Sequence, residues 1–532
     1  METIKELYQK PALRWALWAV VVALLALRLI HLSADFPNFA FWWDDAAKYS
    51  DEGWYANAAL NSVLMGHWYI PGDWAPATVV PVWPAILTGI FHVTGVSIVV
   101  ARATEVVFSW AAVFLSWMLF RRFTPDWLAA IFAFLLAASA MTFAFSRVAV
   151  LEAPLETVIL LALLLSTNLR RQDTGRCVLL GMLLVLIVLT KTSGAFVIPA
   201  ILYPIVFRYR TELRAAARPL AIGLLTTLLL YGAERFLFAR HYAADARVFF
   251  SRSVPGIGII TFEKTVRLLY RGTWIDPFLW PLVLFAVTFS IWMRSLWRQL
   301  LWGVSVLWCV GYSAFIIYHV DGPPRYFGTM TIPVVMLALL FLQVVWQRWR
   351  FAGEVVLGII LFSVGWNLWQ IEKVAFHPQY VMLRAANEIR SIVLANPDAP
   401  HLLMGHGDSQ ITIYNGIPGL DDTFGTMTVE QKYSAYKPGW VVMWNDENFD
   451  GFEEFLSKND LVRVAVLPAF DDPGRNRLIV YRIVPKSNGN SLRGAVPTTD
   501  PNIWDSVDDL RNPVGSGFPP AGRVDATPAG SP

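Results

Sequence analysis

The chain has 532 residues, of which 56% are hydrophobic and only 16% charged, with a formal net charge of +3. That composition excludes an ordinary soluble enzyme and a nucleic-acid-binding protein, and it places the chain in the membrane class. The only cysteines, Cys177 and Cys309, stand far apart in or beside apolar runs, so no disulfide framework is implied.

In chain order, the first apolar run is PALRWALWAVVVALLALRLIHL, opened by Lys5, Lys10 and Arg14 and followed by no small-residue cleavage site. It reads as a retained signal anchor. A long first outer loop, residues 33–99, follows. Within it VVPVWPAILTGIFHVTG is apolar but carries Pro81, Pro84, Gly89 and Gly95, so it reads as an interfacial or re-entrant segment. Runs of membrane length recur at about residues 100–121, 126–145, 153–169, 177–190, 193–207, 219–238, 277–294, 299–318, 327–346 and 353–371, which with the anchor predicts eleven spans.

With a cytoplasmic N-terminus, the inner turns carry Arg121 and Arg122, then Arg170, Arg171 and Arg176, then Arg208 to Arg218, Arg294 and Arg298, and Arg348 and Arg350. That ladder obeys the positive-inside rule, although the outer loop at 240–273 is also basic. After residue 371 a helical stretch and short apolar runs separated by Gly, Pro, Asn and Asp predict a soluble α/β domain over residues 372–484, outside the membrane by parity. Residues 485–532 are rich in Pro, Gly, Ser and Asp and predict a disordered tail.

Four outer segments carry ionisable residues. The first loop contains SDEGWYANAALNSVLMGHWYIP, with Asp51 and Glu52 beside Trp54 and Tyr55; the turn SRVAVLEAPLE brackets Arg147 and Glu152; LTKTSG holds Lys191; and DGPPRYFGTMTIP holds Asp321 and Arg325. Each alone has an ordinary reading. Wet loops are acidic, Trp and Tyr belt the membrane interface, and lysines snorkel at span ends. Together they bring acids and cations from four loops to one face, which suits group transfer from a lipid phosphate: a carboxylate to take the acceptor's proton, and cations to hold the leaving phosphate.

These segments, spread over residues 40–335, resemble in their order the motifs of the GT-C membrane glycosyltransferases, in the superfamily of protein O-mannosyltransferases and lipid A aminoarabinose transferases. DEGWYANAALNSVLMGHWYIP is similar to their Asp-Glu first-loop motif, SRVAVLEAPL to a second acidic motif, LTKTSGAFVIPAIL to a Leu-Thr-Lys-Gly segment, and RYFGTMTIP to an Arg-Tyr motif opening a late span. The resemblance implies a polytopic α-helical membrane protein of GT-C-like fold, residues 1–371, with a small extracytoplasmic α/β domain. It implies an inverting hexosyl- or pentosyltransferase of the inner (plasma) membrane. Such an enzyme takes a sugar from a polyprenyl-phosphate donor to a lipid, glycan or protein acceptor at the outer face.

Carried over by position, Asp51 is the base or acceptor-orienting carboxylate, Glu52 its partner and Glu152 the second acid. Lys191, Arg325 and Arg147 are the candidates for the donor phosphate, and Tyr55 and Trp54 for the sugar or acceptor. The resemblance requires no cofactor; a cluster of oxygen ligands is compatible with Mg²⁺ or Mn²⁺, and the relatives vary on metal. The chain departs from the aminoarabinose transferases at ATVVPVWP, where they have Lys-Pro-Pro. Glu152 stands where many relatives have Asp, and Thr192 where Gly is usual. Asp44 and Asp45 match no motif and read as loop decoration. The rival reading is a transporter or flippase of an envelope precursor, which would place its ionisable groups near the bilayer midplane instead of at span ends.

Overall fold

The computed structural model describes residues 2–486 apart from 38–41, 43–44, 171, 254–261, 320–321, 406, 423, 446–450 and 471–474. Asp44, Asp321 and nearly all of the expected disordered tail therefore lie outside the described residues.

An apolar chain in lipid has to satisfy its backbone internally, which a helix does. Six described helical stretches are long and apolar enough to cross a membrane: Pro11–Leu29, Ile98–Arg121, Leu213–Leu237, Leu300–Tyr318, Pro324–Arg348 and Arg350–Leu394. Five shorter apolar helices accompany them, Val82–Thr94, Asp126–Ala137, Thr174–Thr190, Thr192–Arg208 and Leu279–Phe289. The expected eleven spans are not confirmed, because some of the expected runs are interrupted. Residues 126–145 break at Ala138 into Asp126–Ala137 and Ala140–Phe145, where the Ser139 hydroxyl accepts the Thr142 N–H and starts the second helix. Residues 193–207 begin as a 3-10 turn, Thr192–Val197, before Ile198–Arg208.

The segment expected to be broken by its prolines forms the continuous helix Val82–Thr94. Pro81 caps it and Pro84 lies in its first turn, where a missing N–H leaves no bond unmade. In the bundle, 89% of the most apolar 18-residue window of Pro324–Arg348 is buried and only 6% of that of Leu213–Leu237, so the first lies in the core and the second on the rim. At one end of the bundle, Arg122 donates to Leu164 O and Thr167 Oγ1, and Arg208 donates to the carbonyls of Thr167 and Leu169. Three of the basic turns thus meet.

The C-terminal part builds a five-stranded sheet in the order β2-β1-β3-β5-β4, from β1 Leu403–Gly405, β2 Gly419–Asp421, β3 Trp440–Trp444, β4 Asn459–Pro468 and β5 Arg477–Pro485. β1 runs parallel to β2 and β3, with Leu403 opposite Gly419 and Trp440, and β5 is antiparallel to β3. Both faces of β3 are buried, as its unbroken WVVMW requires. The apolar run around Ile411 is helical, Asp408–Asn415, between Gly407 and Gly416, both left-handed.

Candidate active site

The first loop folds into the helix Asp51–Leu64, with Asp51 and Glu52 in its first turn, where the helix dipole favours carboxylates. Adjacent along a helix, their side chains point different ways. Asp51 is buried, and Arg325 Nη2 lies 2.5 Å from its Oδ2, a charge contact outside aligned hydrogen-bond geometry. Arg325 is anchored by Asp45, which accepts its backbone N–H at 2.8 Å and its Nη1 at 2.5 Å.

Glu152 starts the helix Glu152–Ser166 and pairs with Lys191, the residue just past the helix Thr174–Thr190. The Lys191 ammonium also stands 4.4 Å from the centre of the Tyr326 ring. Burial raises the Asp51 carboxyl above its ordinary range; Arg325 and Lys191 oppose that rise, and Asp45 and Glu152 reinforce it. The Tyr55 phenol is likewise raised, first by burial and then by Asp51 and Tyr326. Asp51, Glu152, Lys191 and Arg325 therefore form one buried cluster, joined by Asp45 and Tyr326, with the half-buried Tyr55 beside it.

Both cations keep donors to spare. Among the described residues Arg325 Nε is buried without a partner, and only Glu152 bonds one of the three Lys191 N–H groups. Asp45 and Asp51 both face Arg325 and Glu152 faces Lys191, and among the described residues no three His, Cys, Asp or Glu side chains gather as metal ligands.

No family model and no curated protein sequence matches the chain. Among solved structures, ArnT from Cupriavidus metallidurans bound to undecaprenyl phosphate is similar at TM-score 0.55 and 14% identity, over 91% of this chain and 99% of that one. The same protein in the apo state gives 0.56 at 15% identity, over 88% and 98%. The Archaeoglobus fulgidus oligosaccharyltransferase in complex with Zn and sulfate gives 0.50 at 14%, covering 80% of this chain and 68% of that one. The chain has the GT-C fold. With its apolar helices, that fold makes it a multi-pass membrane protein with a small C-terminal sheet.

Within the GT-C fold the remaining sequence candidates sit elsewhere. Glu52 turns away from Asp51: its Oε1 accepts Arg102 Nε at 2.7 Å and Ala149 N–H at 2.8 Å, and its Oε2 accepts Arg102 Nη2 at 2.6 Å and Gln410 Nε2 at 3.0 Å. Trp54 donates to Asp421 and packs edge-on against Phe424. Both belong to the seam between the first loop and the sheet region, along with Asn57 on Ser409 and Lys432 on Asp73. At Gly53 a Cβ would stand 2.1 Å from the Gln410 nitrogen, so only glycine allows this approach. Arg147 donates to the carbonyls of Ile30 and His31 and lines a cavity with Asp35 and Arg102, at the end of the first span and apart from Lys191 and Arg325.

Asp45 is a correction to the reading as loop decoration: it is fully buried and holds Arg325. Arg102 escaped notice because it lies inside an apolar run, and an ionisable residue in such a run was itself the available signal.

Proposed function

We propose that the chain is an inverting glycosyltransferase that moves a sugar from a polyprenyl-phosphate donor to a lipid, glycan or protein acceptor. The observation that carries this reading is the cluster itself: a buried carboxylate, Asp51, against a cation with an unused donor, in a GT-C fold. The neighbour crystallised with undecaprenyl phosphate supports the donor class.

In this reading the acceptor hydroxyl gives its proton to Asp51 Oδ2 as its oxygen attacks the anomeric carbon. The bond from that carbon to the phosphate oxygen breaks, the electron pair leaves on the phosphate, and the configuration inverts in one displacement. Lys191 and Arg325 take up the charge left on the phosphate, through the donors that Glu152 and Asp45 leave open. Tyr55 stands beside the reacting groups to orient acceptor or sugar.

The reading places the protein in the inner membrane with a cytoplasmic N-terminus and the sheet region outside. The contacts of Gln410 with Glu52 support one shared face for the sheet region and the first loop. Transfer assayed in membranes supplied with polyprenyl-linked sugars should vanish in Asp51→Asn while the protein stays inserted; transfer that survives this substitution sinks the assignment. A periplasm-active reporter fused after residue 484 should be active, and an inactive fusion reverses the sidedness.

A further inference from the structure

A cavity adjoins the cluster, with Glu152 and Arg325 on its wall. Three more ionisable side chains line it, and proton and phosphate transfer use none of them: Arg28, Glu105 and Glu156. They are 0%, 0% and 8% exposed, on helical stretches of the apolar bundle, where an ionisable group is costly unless it has a partner or a task.

Their hydrogen bonds are incomplete in a complementary way. Arg28 donates to Ser109 Oγ, to the Leu136 carbonyl and to Thr142 Oγ1, but among the described residues its Nε has no partner. Glu105 accepts the Ala153 N–H through Oε1 at 3.0 Å, and its Oε2 has no partner among the described residues. One cavity thus presents a buried donor lacking an acceptor and a buried acceptor lacking a donor, each a cost to the fold while unmet. Hydroxyl groups answer both, because each donates and accepts, and a sugar ring carries several of them side by side.

We infer that this cavity holds the sugar of the donor lipid, with Arg28 and Glu105 as specificity-determining residues that hydrogen-bond its hydroxyls. The inference rests on the glycosyl-transfer reading and goes further: it puts the sugar among the apolar helices, beside the cations that hold its phosphate. Glu156, on the same wall, adds a second carboxylate that recognises hydroxyl donors. A site built to bond a hydroxyl rejects a ligand that lacks it far more strongly than an apolar pocket does.

The test uses the full-length protein in lipid nanodiscs. Its probes are bare undecaprenyl phosphate and a panel of undecaprenyl phosphates bearing single hexoses or pentoses. At least one sugar-bearing lipid should bind the wild type more tightly than the bare lipid. Arg28→Met and Glu105→Leu should each cut that margin about tenfold or more, while binding of the bare lipid holds. Ala112→Leu fills the cavity without removing a charge and should erase the same margin, which keeps the test open if a charge variant fails to fold. A margin unchanged in the variants that fold, or no margin in the wild type, overturns the sugar pocket and leaves the donor class standing. A wild type that does not bind bare undecaprenyl phosphate overturns the transfer reading itself.

Discussion

Two neighbouring residues open the same helix and meet opposite surroundings. Around Glu52 every bond is made: both oxygens are doubly engaged, and Arg102 also bonds the carbonyls of Leu32 and Ala34 and the Tyr414 hydroxyl. Around Asp51 the charges touch but do not saturate, since among the described residues Asp51 Oδ2 lacks an aligned hydrogen bond and Arg325 Nε lacks any. A saturated ion pair has nothing left to offer a substrate and locks structure; an unsaturated one is poised to bind or transfer. The Glu52 side holds the first loop against the sheet region so that the Asp51 side stays in place.

If that contrast is right, substitutions on the two sides fail differently. Asp51→Asn should lower kcat by about 10²- to 10⁴-fold with the melting temperature nearly unchanged, as measured on purified protein. In the wild type the acid limb of kcat/KM should lie above the ordinary carboxylate value near 4, because burial raises the Asp51 carboxyl and the base form emerges only past that raised value. Arg102→Met leaves Glu52 buried and unpaired, so it should cost about 3–5 kcal/mol of stability and show as lost folded protein, with activity per folded molecule largely kept. The contrast breaks if Arg102→Met folds normally and loses turnover.

Asp35 sharpens the structural side. Its Oδ2 accepts the N–H groups of Val381 and Met382, tying the end of the first span to the helix Val381–Leu394. Burial pushes its carboxyl up to about 6, against those N–H groups and Arg102. Between about pH 4 and 6 the folded state therefore holds a proton that the unfolded chain has released. Its contribution is complete below that window and lost as the pH rises through about 6, by up to about 3 kcal/mol. Asp35→Asn should flatten the fall of the melting temperature across that window; an unchanged slope removes Asp35 as its source. The smallest effect belongs to Lys191→Ala, which should weaken donor binding about tenfold, because Arg325 remains. Unchanged affinity would leave the phosphate to Arg325 alone.

The sequence carried the membrane class, the ordered motifs and the gathering of Asp51, Glu152, Lys191 and Arg325, because apolar length and charge at span ends are one-dimensional signals. It did not show where helices are interrupted, because a capping Ser139 and a 3-10 turn break them without lowering hydropathy. Which charge faces which was decided only in three dimensions. Arg102 reaches Glu52 across 50 positions and Arg325 reaches Asp45 across 280. The energy of such pairs depends on separation and burial, which no local pattern encodes. For the same reason Asp45 looked idle, Glu52 looked like the partner of Asp51, and Arg28 and Glu105 were lost in apolar runs until packing gave them a common cavity.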